Sequence, residues 1–102
     1  MTKLTLRAVI TLPDGSESLP VTVVGRDAWL LDQLIEVGSR GLTSIERPAP
    51  RIAHYCWKLR GFGFDIDTEY EEHAGPFPGK HGRYRLLSKV RIIADSRKAV
   101  AA

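Results

Sequence analysis

One cysteine, Cys56, is all that the 102 residues hold. A single thiol excludes an internal disulfide and leaves no cysteine pair for a zinc site. Long apolar runs are missing as well. No stretch approaches the roughly 18 apolar residues of a membrane span. Met1-Thr2-Lys3-Leu4 does not open the apolar core of a signal peptide. These absences predict a cytoplasmic chain with no membrane partner. There is no glycine-rich phosphate loop and no nucleotide-binding fingerprint, so no cofactor and no small-molecule substrate is expected. His73 and His81, with Glu71 and Glu72, lack the compact spacing of a zinc motif and read as solvated polar residues. His54 and Cys56 stand two apart on a predicted helix and point apart. No nucleophile and base pair arises there, and no catalysis is expected.

What is present is the composition of an ordinary globular domain, 43% hydrophobic and 26% charged. The length suits one domain over residues 1–102 with a modest core. The net charge is +3, and its distribution says more than its size. Residues 1–50 carry five Lys/Arg against six acids, residues 51–102 ten against six. The positive charge gathers in the second half, which points to an anionic partner such as nucleic acid.

From Lys3 to Leu12 the chain alternates, with Leu4, Leu6, Ala8, Ile10 and Leu12 on one face. That is a strand with one buried side. Pro13-Asp14-Gly15-Ser16 is a turn, and Leu19–Val24 returns, so residues 3–24 form a hairpin. Such a hairpin is marginal alone. It must pack on the helices or pair with a second chain, which makes a homodimer one expectation. Gly25-Arg26-Asp27 opens a helix with Ala28, Leu31, Leu34 and Ile35 inward and Trp29, Leu30 and Val37 flanking. Leu42–Glu46 reads as a short second helix, with Thr43 and Glu46 as its capping box. Strands are predicted over 64–72 and 83–93, the second bent near Ser88. The Gly- and Pro-rich loop between them is too long for a tight turn. Residues 94–102 read as a frayed tail.

A third helix is predicted from about Pro50 to Arg60. Ile52, Tyr55, Cys56 and Leu59 recur at i, i+3, i+4 and i+7 as its apolar stripe. Proline fits a first helical position. Arg51, His54 and Lys58 share another side, with Arg60 nearby. Gly61 and Gly63 end the helix.

The order of these elements resembles the winged helix-turn-helix family, and in particular small bacterial and phage-associated helix-turn-helix or winged-helix domain proteins. Gly41-Leu42-Thr43, Arg51-Ile52, Lys58 through Ile66, and Arg83-Tyr84-Arg85-Leu86 carry the likeness. It spans about Arg26–Leu87. The fold it implies is α+β: three helices plus a C-terminal wing hairpin over residues 25–93, with the N-terminal hairpin as an addition. The resemblance further implies a DNA-binding protein, a small transcriptional regulator or a phage or mobile-element accessory protein. Its third helix would enter the major groove of double-stranded DNA and its wing would touch phosphate. Arg51, His54, Lys58 and Arg60 would then face DNA, with Lys80, His81, Arg83 and Arg85 serving on the wing.

Two features run against a simple wing. Pro48 and Pro50 clip the second helix. Asp65, Asp67, Glu69, Glu71 and Glu72 would repel phosphate unless they pair across the ladder with Arg83, Arg85 and Lys89. The rival reading is a winged helix that binds protein, because fold does not fix function. Trp57 lies off the apolar stripe, with Ala53 and Arg60, where its default reading is to close the core against the N-terminal hairpin; the sharper reading makes it, with Phe77, a partner surface.

Overall fold

The computed structural model describes residues 3–43, 51–74 and 79–98, with only the backbone of His73. Strand β1 (Thr5–Thr11) buries Leu6, Ala8 and Ile10 as the alternation predicts, while Leu12 falls beyond it and is exposed. β2 (Val21–Val24) pairs antiparallel with it, Leu6 opposite Val23. β2 starts two residues later than expected. Pro20 has no N–H to give the ladder, and Ser18 takes over the pairing, its Oγ accepting from Ile10 N–H at 3.0 Å.

The free edge of β1 is covered from within the chain. β6 (Lys89–Asp95) lies antiparallel against it, Ile10 opposite Val90 and Ala8 opposite Ile92. The sheet order is β2-β1-β6. The run predicted as one bent strand over 83–93 is therefore two strands in two sheets. The break at Leu87–Ser88 has hydrogen-bond partners: Leu87 N–H donates to Asp65 O at 2.8 Å, and Asp65 N–H donates to Ser88 Oγ at 2.8 Å. Residues expected in a frayed tail are also held. Ser96 N–H donates to Thr5 O, and Arg97 binds both Asp95 and Asp32.

Helix α1 (Arg26–Val37) buries Ala28, Leu30, Leu31, Leu34 and Val37. Leu30, expected at the flank, is fully inside, and Ile35, expected inside, is exposed. The buried stripe is turned because the second helix and the wing strands both lie against α1. A 3-10 turn at Gly38–Arg40 leads into β3 (Leu42–Thr43).

Here the expected second helix fails. The described residues hold two α-helices, not three. Leu42 and Thr43 pair with Tyr84 and Arg83 of β5 (Gly79–Leu86). Gly41 makes that entry feasible, with φ at 76° and no room for a Cβ. The rest of the predicted helix, its capping box with Glu46, and both Pro48 and Pro50 lie outside the described residues.

Helix α2 (Ile52–Gly61) starts just after Pro50 and Arg51, since Arg51 is left-handed at φ 63°, ψ 33°. Its end is a Schellman motif. Gly63 N–H donates to Arg60 O and Phe64 N–H to Leu59 O, while Gly63 takes φ 106°. Leu59 and Phe64, the apolar pair of that motif, are both buried. β4 (Ile66–His73) and β5 then run antiparallel from Ile66 opposite Leu86 to His73 opposite Gly79. The wing sheet has the order β3-β5-β4. One core joins both sheets and both helices, with Cys56 and Leu59 of α2 fully buried in it.

Candidate nucleic-acid interface

Helix α2 presents Ile52, Cys56 and Leu59 to the core. Its opposite side carries Ala53, Trp57 and Gly61, spaced four apart and all exposed. Trp57 is 68% exposed, so it does not close the core against the N-terminal hairpin. His54 stacks on it, ring centroids 5.9 Å apart and planes 24° apart. The outward side is therefore mixed, with Ala53, Trp57 and Gly61 beside His54 and Lys58.

Arg51, His54 and Lys58 do share a side of the helix, but they do not form one open basic face. Lys58 Nζ lies 2.9 Å from Asp27 Oδ2, and Asp27 is buried in the first turn of α1. The acid read from the sequence as a helix-dipole residue thus also neutralises Lys58. No local signal could have found this pair, because it joins two helices 31 positions apart. Arg60 is held differently. Its guanidinium donates to Ile66 O at 2.8 Å and 3.1 Å and to Thr68 Oγ1 at 2.8 Å. Those acceptors are neutral, so Arg60 keeps its charge and is fixed at the junction of helix and wing. Arg51 is exposed at the helix start.

The wing cations turn toward the protein. Arg83 Nε donates to Glu71 Oε2 at 2.6 Å and its Nη1 to Arg40 O at 3.0 Å. His81 Nε2 stands 3.1 Å from Glu71 Oε1. Arg83, and next His81, hold the Glu71 carboxyl below the usual range. Arg85 donates to Ser39 O and lies 3.5 Å from Glu69. Acid and base pair across the ladder as the alternation allows, and the same arginines tie the wing to the turn after α1. Lys89 takes no part, since it sits in β6 opposite Thr11. Lys80 is exposed opposite Glu72. Phe77 lies outside the described residues.

Cys56 is buried, and burial pushes its thiol up to about 11. Among the described residues no cluster of His, Cys, Asp and Glu is arranged to hold a metal, and no helix is long and apolar enough to cross a membrane.

A family model described as a winged helix domain matches residues 20–96. Nothing among curated proteins and nothing among solved structures matches the chain.

Proposed function

The chain belongs to the winged helix domain family, and from that premise we propose that it binds double-stranded DNA with α2 in the major groove. Its role would be that of a small transcriptional regulator or an accessory protein of a phage or mobile element. The observation that carries this reading is the exposed side of α2, where Ala53, Trp57 and Gly61 lie between the charges of Arg51 and Arg60. The two arginines carry no ion pair to an acid among the described residues, so both charges are open to phosphate. Arg51 reaches base edges or phosphate from the helix start. His54 and Lys58 stand beside Trp57, Lys58 as part of its pair with Asp27. Lys80 is the wing residue best placed for phosphate. His81, Arg83 and Arg85 support the wing from within.

Arg51 supports the reading in a second way. A left-handed non-glycine residue costs roughly 1–2 kcal/mol. A non-glycine residue held in this conformation points to a role for its side chain. Arg51→Gly relieves the strain while removing the charge, so loss of binding in this variant is not a folding defect.

The test is a salt titration of binding to a mixed-sequence duplex pool. Affinity should fall steeply with salt. Arg51→Gly should weaken binding and flatten the salt slope by about one unit. Absence of binding at low salt would end the DNA reading. The alternative, a protein-binding winged helix, is favoured by Trp57 and by Phe62, itself 41% exposed. Growth in particle size with concentration, without DNA, would support it.

A further inference from the structure

We propose that α2 reads thymine through its 5-methyl group, with Trp57 as the contacting residue; this rests on the DNA reading above. Ala53 and Gly61 offer no side-chain hydrogen bond, and Trp57 offers only its Nε1–H donor. Of these three only Trp57 projects a large side chain, and the contact it can make with a base edge is mainly apolar. The apolar feature on a base-pair edge in the major groove is the thymine methyl.

The surface around Trp57 offers apolar contact to such a group. A shallow hollow of about 480 Å³ is lined by Trp57, Lys58, Arg60, Gly61 and Phe62. Two aromatic rings supply its apolar walls, and Gly61 leaves its floor low. His54 stacked on the indole restrains Trp57, so little side-chain freedom is lost on contact. Arg60, fixed by Ile66 O and Thr68 Oγ1, puts a positive charge on the rim where a phosphate backbone would pass. A charged rim around an apolar hollow suits A·T-bearing duplex DNA better than an apolar peptide.

The test uses one random-sequence duplex pool prepared in two forms, with thymine or with deoxyuridine at every thymine position. The two differ only in the methyl groups. The parent chain should bind the thymine pool about four times more tightly for each methyl buried. Trp57→Ala should bind both pools alike, near the affinity of the parent for the deoxyuridine pool. Trp57 is exposed, so this variant keeps its fold, which circular dichroism checks. Equal, salt-sensitive binding of the parent to both pools would overturn thymine reading and leave DNA binding intact. A preference for thymine that survives in Trp57→Ala would overturn the role of Trp57. No binding to either pool would end both proposals.

Discussion

Lys58 Nζ lies 2.9 Å from Asp27 Oδ2, so α2 is pinned to the first turn of α1 by an ion pair whose acid is buried. The other oxygen of that acid, Asp27 Oδ1, is buried and has no hydrogen-bond partner among the described residues. Lys58→Met should leave a buried carboxylate with no cation. Breaking a buried pair costs about 3–5 kcal/mol, and the half-exposed ammonium lowers the expectation to about 1–3 kcal/mol. Urea denaturation measures it. Asp27→Asn combined with Lys58→Met should recover at least half of the loss, since the stranded charge is gone. A parent-like stability for Lys58→Met alone would mean that the pair contributes nothing to the fold.

Gly41 should tolerate no side chain. A Cβ there would stand 2.8 Å from Arg85 Cγ, 2.9 Å from Arg83 Cγ and 3.0 Å from the backbone oxygen of Tyr84, at φ 76°. The side-chain atoms can shift, but the carbonyl belongs to the β3–β5 ladder. Gly41→Ala should therefore cost about 2–4 kcal/mol, from overpacking and left-handed strain together. Gly38 has space at its Cβ position and should respond to alanine through strain alone, by about half as much. Thermal melts of the two variants, compared side by side, test the contrast.

Stability should fall in acid through Asp95. Hydrogen bonds from Arg97 lower its carboxyl to about 2 from an ordinary 3.8. The folded pKa is depressed, so the contribution is present in full above the unfolded value and lost as pH falls from about 3.8 to about 2. Glu71 shifts in the same direction, chiefly through Arg83. Asp95→Asn should flatten the stability profile across this window and leave its slope near neutrality unchanged. Denaturant melts at a series of pH values provide the comparison.

Cys56 should resist thiol reagents while the chain is folded. Its side chain is buried and its thiol is raised to about 11, so near neutrality it is neither reachable nor ionised. Labelling with a chromogenic disulfide should be very slow in buffer and fast in denaturant. Its rate should rise in Gly41→Ala in proportion to the greater unfolded population. Complete labelling within seconds under native conditions would show that α2 opens far more readily than its packing implies.

The alternation of Leu6, Ala8 and Ile10, the 52-56-59 stripe of α2 and the glycine stop at Gly63 were all legible in the chain. Each is a local pattern, set by side-chain periodicity or by a backbone angle. Leu42–Thr43 was misread because Thr43 and Glu46 make a local capping signal, while strand pairing with Tyr84 and Arg83 is a contact 40 residues away. Trp57 lies off the apolar stripe by its spacing, but only the packed structure shows it 68% exposed.

Periodicity by itself placed the first strand and the two helices, and charge placement showed the cations gathered toward the second half. They also placed Arg51, His54 and Lys58 on one side of a helix, because helical spacing is a local property. Only the tertiary structure decided which of those charges remain available. Asp27 reaches Lys58 from another helix, Glu71 takes Arg83 and His81 across the wing, and neutral acceptors hold Arg60 in place. The pairing of β6 with β1 was decided in the same way. An ion pair or a sheet edge depends on which surfaces the packed core brings within hydrogen-bond distance, and sequence separation carries no record of that distance.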